Sequence, residues 1–373
     1  MSKSIHPGKV LANELSARGW SQADLTFVLG GSPKVVNQII NGKQGISPAM
    51  SKALGQALRL PADHFATIQR AYDLAEAKEP EDGIVARATL LTTYPIREMV
   101  RRGWLRAASV EDMGGQLARF FGVNDAGNIP YLAHAARKTG YEERAIPPAQ
   151  LAWLFRVRQI AKAIAVPRYS EQALSEAIEK MRSLLTAPEE ARHVPRILSE
   201  CGVRFIIVEA LPQSKIDGVC FWLDGKSPVI GMTTRFDRID NFWFVLRHEC
   251  EHVLRGHGRQ KPEGMIDANL GLQEANDTAD VPEEERLANA AAADFCVPRE
   301  KMQSFILRKN PFFYEKDVLA FSKLNGVHPG LPVGQIQNAT GRFDYLRKHQ
   351  VKIREHVLPN AIVDGWDRPL IIE

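Results

Sequence analysis

Two histidines four positions apart are the residues of this chain whose type and spacing best fit metal chemistry. They belong to the run His248-Glu249-Cys250-Glu251-His252, and residues four apart lie on one face of a helix, one turn from each other. The apolar residues 242–246 before the run and 253–254 after it predict a buried amphipathic helix that ends at Gly256. Both imidazoles could therefore bind one metal ion, with Glu249 placed to touch a metal-bound water.

A His-Glu-x-x-His run arises by chance in about one chain in a hundred of this length, so the motif alone does not decide the function. Further along the chain, the alanine-rich residues 285–297 predict a second helix, which Pro298 ends. In this second helix, Glu285 and Asn289 lie one turn apart.

Together the two motifs resemble the ImmA/IrrE metallopeptidases. The resemblance rests on His-Glu-x-x-His, on the later Glu-x-x-Ala-Asn-x-x-Ala-Ala with its closing proline, and on three segments that lead into the first helix: Asp217-Gly218-Val219, Pro228-Val229-Ile230 and Arg238-Ile239-Asp240-Asn241-Phe242. About a third of the chain is involved. One position departs from the family pattern, because Leu287 stands where the family often carries a second acid.

The resemblance implies a zincin-like endopeptidase with a small β-sheet, in which Zn²⁺ is held by His248, His252 and Glu285 and water is activated by Glu249. Zinc with three protein ligands keeps a fourth position open for water. Glu284 and Glu283 are the alternative third ligands if the register differs. His257 is the alternative nearest in sequence, and we expect it to face solvent.

Three further residues are candidates for supporting roles in this site. Asn289 or Asp294 could accept a hydrogen bond from the second ring nitrogen of a zinc-bound histidine. His328 lies in the turn-forming run Asn325-Gly326-Val327-His328-Pro329-Gly330 and could stabilise an oxyanion, although a histidine in such a turn is more often structural. The polar residues 257–282 between the motifs predict a long loop beside the cleft.

The amino-terminal residues carry a second pattern, which predicts two short helices separated by glycines. Ser21 caps the first helix, whose apolar residues are Leu25, Val28 and Leu29, and Gly30-Gly31 end it. Ser32-Pro33 begin the second helix, which runs to Ile40. A helix, a glycine turn and another short helix are the parts of a helix-turn-helix.

This segment resembles lambda-repressor-like DNA-binding domains, particularly HigA-type antitoxins, through Ser-Gln-x-x-Leu, Ile-Ile-Asn-Gly-Lys and Ile-Ser-Pro-Ala-Met-Ser. The resemblance implies that the start of the second helix faces the major groove of operator DNA, through Ser32, Lys34, Val35, Asn37 and Gln38. Lys43 and Lys9 would then contact phosphates. The alternative is a small helical interaction module whose lysines are merely solvated.

Length and composition indicate more than one domain in a reducing compartment. A chain of 373 residues exceeds one ordinary core, and its net charge of +4 is small, so nucleic-acid binding should be local. The four cysteines lie apart in apolar contexts, which argues against a disulfide framework. Neither a leader nor a long apolar span is evident, so we expect a cytoplasmic protein that does not enter a membrane.

The predicted fold is α+β and mostly helical, divided into a helix-turn-helix domain at 1–70, a helical middle region at 71–195 and a metallopeptidase domain at 196–373. Runs at 202–208, 219–222 and 229–232 predict the strands of the small sheet. A basic helix is predicted near residues 342–352.

Two functional hypotheses from different classes follow. The first is a DNA-binding regulator, expected as a homodimer, whose zinc peptidase hydrolyses a repressor, a toxin partner or the chain itself. The second is an antitoxin-like repressor whose peptidase fold binds a protein partner without turnover. Zinc content discriminates between them, because a binding module tolerates an empty site and an enzyme does not.

Overall fold

The computed structural model describes residues 5–79, 83–124, 133–134, 144–145, 147–259, 265–268, 282–367 and 370. The chain divides into two compact units, Met1–Ile84 and Val85–Glu373. The division falls within one helix, α6 (Gly83–Thr93). The sequence-derived boundaries at residues 70 and 195 stay predictions.

The first unit is a bundle of five short helices: α1 (Pro7–Ala17), α2 (Gln22–Leu29), α3 (Pro33–Ile40), α4 (Pro48–Leu58) and α5 (His64–Glu76). Its buried core is made of aliphatic side chains from α1 to α4 and one ring, Phe65 of α5. A capping box begins α2, because the Ser21 side chain accepts from the Asp24 backbone N–H and the Asp24 carboxylate accepts from the Ser21 backbone N–H.

The helices of the second unit surround one sheet. After α6 they are α7 (Ile96–Arg101), α8 (Val110–Phe121), α9 (Pro148–Ala163), α10 (Glu171–Met181), α11 (Val194–Glu200), α12 (Ile239–Leu254), α13 (Glu283–Cys296), α14 (Arg299–Lys309), α15 (Glu315–Asn325), α16 (Gly330–Thr340) and α17 (Arg354–Val357).

The strands are β1 (Ala133–His134), β2 (Arg144–Ala145), β3 (Arg204–Val208), β4 (Ile216–Trp222), β5 (Pro228–Met232), β6 (Met265–Ala268) and β7 (Ile362–Asp364). β1 and β2 form an antiparallel pair, and the other five form a mixed sheet in the order β6-β4-β5-β3-β7. In this sheet β3 runs parallel to β5 and β7, whereas β4 runs antiparallel to β5 and β6.

Both faces of the sheet are covered, because successive side chains of a strand point to opposite sides. Along β4, Cys220 and Trp222 belong to the core that includes α12, whereas Val219 and Phe221 belong to the core that includes α9. A strand that is buried on both faces has a nearly continuous run of apolar residues. The strands of this sheet are therefore easy to identify in the sequence.

The mostly helical α+β fold and its small sheet are confirmed, and the three predicted strands correspond to β3, β4 and β5, although β3 begins two residues later than predicted. The structure also adds β6 and β7, which are the two edges of the sheet. β6 lies inside the predicted loop, whose residues 260–264 and 269–281 are outside the described part of the chain. All four cysteines are free and buried.

One local prediction is wrong. No α-helix forms at 342–352, where only a 3-10 turn, Arg347–His349, occurs. Tertiary hydrogen bonds hold that segment in turns: Gln337 donates to the Tyr345 carbonyl at 2.7 Å, and Gln350 donates to the Gly330 carbonyl at 3.1 Å.

Within the described residues, we find no helix that combines the length and the apolar character needed to cross a lipid bilayer.

Candidate metal centre and nucleic-acid interface

Two packed helices, α12 and α13, carry the metal motif. The apolar face of α12 packs against the sheet, and α13 approaches it closely because its buried face includes two alanines, Ala288 and Ala292. His248 and His252 are fully buried one turn apart on α12, with ring centroids separated by 4.7 Å. Glu285, in the first turn of α13, is only 3% exposed.

The ligand atoms of these three residues converge on one point. The Nε2 atoms of His248 and His252 are 3.0 Å apart, and the Glu285 carboxylate oxygens lie 3.3 Å from the first and 3.1 Å from the second. A tetrahedral ion with bonds of about 2.0–2.1 Å holds its ligand atoms about 3.3 Å apart. The three residues could therefore hold a metal ion.

The chemistry of the donor set fits zinc. Two imidazoles and one carboxylate are a known ligand set of catalytic zinc, and they leave one of four tetrahedral positions open. The neighbouring acids are less suited, because the Glu283 side chain is 77% exposed and Glu284 is only partly buried. Of the three successive glutamates, Glu285 is therefore the one whose carboxylate lies with the histidines.

Glu249 is fully buried beside the sheet strand β4. A Cβ added to Gly218 of that strand would lie 2.1 Å from Glu249 Oε1, so the strand can pass over the carboxylate only where there is no side chain. Sequence reasoning placed Gly218 in a segment leading into the first helix, but it missed the contact with Glu249. A glycine inside an apolar strand run was the available signal.

The two residues between Glu249 and His252 have structural environments. Burial raises the pKa of the Cys250 thiol to about 12, so this thiol stays protonated and is a poor nucleophile or ligand. Burial also acts to raise the pKa of Glu251, but hydrogen bonds from Arg247 at 2.7 Å and Arg255 at 2.5 Å lower it overall.

His257 does not simply face solvent, as the sequence suggested. Gly256 ends α12 with φ +66, and the turn brings His257 Nδ1 to 2.8 Å from Nδ1 of His252. Trp222 fixes the turn by donating its indole N–H to the His257 carbonyl at 3.0 Å. His257 therefore occupies the supporting position at His252. Asp294 accepts from the Arg299 backbone N–H at 3.0 Å, and the role of Asn289 stays a prediction.

His328 lies at the other end of α12. Its Nδ1 accepts from the Gly330 backbone N–H at 3.1 Å, and a Cβ on Gly330 would touch Ile239, the first residue of α12. Nine residues of helix, about 13 Å, separate Ile239 from His248. Burial lowers the pKa of His328, and nearby His349 lowers it further. The geometry places the His328 ring against the start of α16, and its oxyanion role stays a prediction.

In the first unit, α2 and α3 pack against each other and are joined by a three-residue turn in which Gly30 has φ +60. This is the geometry of a helix-turn-helix. Ser32 is exposed at the start of α3, and its side chain does not cap the helix. Lys34, Asn37 and Lys43 are exposed as well.

A short polar network orients the exposed side of α3. Asn37 donates its amide to Gln22 Oε1 of α2 at 3.3 Å, and Asn41 donates to Asn37 Oδ1 at 3.1 Å. Val35 and Gln38 are half-buried, and Val35 packs against the core of the bundle. Exposed Lys9 lies on α1. Asn37 and Lys34 of α3 are therefore at the surface, and so is Lys43 in the turn that follows α3.

Comparison with known proteins gave matches to part of the chain only. No protein-family model matches it, and no curated protein matches it. An addiction module antidote protein of the HigA family from Coxiella burnetii matches at 24% identity with a TM-score of 0.20, over 24% of this chain and 94% of that protein. A putative antidote protein of a plasmid maintenance system from Nostoc punctiforme matches at 25% identity with a TM-score of 0.19. This match covers 26% of this chain and 96% of that protein.

Proposed function

We propose that the second unit is a zinc-dependent endopeptidase and that the first unit binds operator DNA, so that the chain is a regulator that hydrolyses a regulatory protein. One observation carries the peptidase proposal. The two imidazoles of α12 and the Glu285 carboxylate of α13 converge in a buried cluster, and the fully buried carboxylate of Glu249 follows the first histidine on α12. A purely structural core has little use for so many buried ionisable groups.

The bound zinc would supply Lewis acidity, polarising the scissile carbonyl and making water acidic enough to lose a proton near neutral pH. His248, His252 and Glu285 would hold the ion, with His257 orienting the His252 ring. The Glu249 carboxylate would accept the proton of the attacking water and pass it to the leaving amine. Burial in a site from which water is excluded strengthens each of these interactions.

The sheet offers a means of holding an extended peptide substrate. β6 is an edge of the sheet and pairs with β4, the strand that passes over Glu249. An edge strand can bind an extended chain through main-chain hydrogen bonds, with little dependence on its sequence. We therefore expect the substrate to be a protein segment that can become extended, such as a loop or linker.

Elemental analysis of protein purified without added metal tests the metal site. We expect about one zinc per chain, lost in His248→Ala and in Glu285→Gln together with thermal stability, because binding to the folded state contributes to folding. Glu283→Gln is the matched control, since it removes an exposed acid from the same helix turn. Full zinc content in His248→Ala and Glu285→Gln would refute the assignment.

Glu249→Gln tests catalysis apart from metal binding. The amide is nearly isosteric, so we expect the fold and zinc content to persist while proteolysis falls by about 100-fold or more. Wild type and variant would be expressed beside candidate partner proteins, and partner fragments followed by mass spectrometry. If both give the same fragments, the peptidase proposal fails and a binding module without turnover replaces it.

The DNA-binding proposal rests on the helix-turn-helix geometry and on the exposed polar side of α3. We expect the full chain to bind, as a dimer, a duplex with two half-sites about one helical turn apart. Affinity should fall steeply as salt concentration rises, because phosphate contacts release counterions. The absence of any mobility shift with promoter fragments at low salt would refute this proposal.

A further inference from the structure

A pocket of about 440 Å³ lies at one end of the sheet, and none of its residues belongs to the candidate metal centre. Three loops meet there: the segment between α9 and α10, the turn before β3, and the hairpin turn between β4 and β5. Two of these loops each contribute one cation to the lining, Arg168 and Lys226, and the first residue of β3 adds Arg204.

In the described part of the chain, no acidic side chain forms an ion pair with any of these three cations. Arg204 donates its Nε–H to the Ile164 carbonyl at 3.1 Å, which orients the guanidinium and leaves its two terminal nitrogens for another partner. Arg168 and Lys226 are exposed. Like charges in one small concavity repel each other, and a bound anion would relieve this repulsion.

The nearest acid on the hairpin turn is already engaged. The Asp224 carboxylate accepts from the Lys226 backbone N–H at 2.9 Å and from the Ser227 hydroxyl at 3.1 Å. These two hydrogen bonds hold the pKa of Asp224 below its usual value. Asp224 therefore shapes the turn that presents Lys226, and its ionised carboxylate offsets one of the three positive charges, which leaves the pocket cationic.

The contrast with two arginines of α12 supports a ligand site. Arg247 and Arg255 both bind the Glu251 carboxylate, which offsets part of their charge. The pocket arginines have no such acid in the described residues. Cations that come from three separate segments and lack acidic partners favour the binding of an anion.

We propose that this pocket binds a phosphate-bearing small molecule. A guanidinium donates two parallel N–H groups, which match two phosphate oxygens, and a lysine adds a point charge. Three cations match a ligand with two or more negative charges, such as a diphosphate, better than a single carboxylate. The volume lies within the range of about 300–1,000 Å³ typical of small-molecule sites.

Isothermal titration of the full chain, without added metal, with inorganic pyrophosphate tests the proposal. We expect Arg168→Ala/Lys226→Ala to weaken binding about 100-fold, because each side chain donates a charge-assisted hydrogen bond that is worth about tenfold in affinity. Both side chains are exposed, so the double variant should fold normally. Arg204→Lys retains the charge but lacks the paired N–H groups, and should bind about tenfold more weakly than wild type.

Two control variants exclude other polyanion sites. Lys43→Ala removes an exposed lysine of the DNA-binding unit, and Lys301→Ala removes an exposed lysine of α14 outside the pocket. Both should bind pyrophosphate as wild type does. A parallel titration with ADP separates sources of the phosphate: equal affinity indicates recognition of the phosphates alone, and tighter binding indicates an added nucleoside contact. Absence of binding at millimolar pyrophosphate, or binding that survives in the double variant, overturns the proposal.

Discussion

Replacing Gly218 by alanine should impair the proposed general base without removing the metal. The added Cβ would lie 2.1 Å from Glu249 Oε1, 2.9 Å from Glu249 Cδ and 3.0 Å from Val245 Cγ1. Ordinary contacts of such atoms begin at about 3.4 Å, so the carboxylate must move by about 1.3 Å. Because Glu249 is fully buried, it has little room in which to do so.

Two magnitudes follow from this displacement. Overpacking of a buried site costs about 1–3 kcal/mol of the free energy of unfolding. A catalytic group misplaced by about 1 Å costs about 100-fold in rate. The metal should remain, because none of the three atoms nearest to the added methyl group belongs to His248, His252 or Glu285.

The measurements are urea unfolding, zinc content and the yield of partner fragments by mass spectrometry. Gly114→Ala is the matched control, since a Cβ at Gly114 of α8 meets nothing within 4 Å. It should leave zinc and proteolysis unchanged and raise stability by about 0.5–1 kcal/mol, as expected for a helix interior. Wild-type stability and fragment yield in Gly218→Ala would refute the close approach of β4 to Glu249. Loss of zinc would refute the separation of base from ligands.

Three further predictions concern other parts of the molecule. In quantitative DNA-binding assays, Asn37→Ala should reduce the difference in binding free energy between DNA sequences by about 1–3 kcal/mol. Lys43→Ala should instead weaken binding to all sequences alike. The opposite pattern would contradict the placement of α3 in the major groove. Because the pKa of His328 is lowered in the folded state, the stabilisation is present above its unfolded pKa, about 6.5, and is lost as pH falls below it. Urea unfolding of His328→Asn should therefore depend less on pH between about 7 and 5, and an unchanged slope would contradict the burial of this ring. Asp364→Ala should cost about 3–5 kcal/mol, because it removes the carboxylate 2.5 Å from the buried Arg156 guanidinium, and Arg156→Ala/Asp364→Ala should be less destabilised than the sum of its single variants. Additive losses would show that the two groups do not interact.

Local patterns determined the parts of this protein that depend on neighbouring residues. The spacing of His248 and His252 places them on one helix face whatever surrounds the helix. Capping residues and glycines marked α2 and α3, and apolar runs marked β3, β4 and β5, since each signal arises within a few residues. The mostly helical α+β class followed from the same signals.

Tertiary packing decided which residues come together from distant positions. Three consecutive glutamates begin α13, and only the rotation of that helix against α12 places Glu285 at the histidines. The same packing brings Gly218 over Glu249, and the turn after α12 brings His257 to His252. Local sequence identifies neither partner in these contacts, and only Gly218 carries a local signal, as a glycine inside an apolar strand run, because each contact depends on the angle and distance between separate elements.

The same distinction explains the absence of a helix at 342–352 and the surroundings of His328. His328 and the basic residues near 342–352 were interpreted from residue type and local composition, whereas their conformations are set by partners on other elements. His328 is fixed where the turn before α16 meets the start of α12, and Gln337 and Gln350 hold the basic segment in turns. Local propensity is worth a few tenths of a kcal/mol per residue, and several tertiary hydrogen bonds of about 1 kcal/mol each outweigh it.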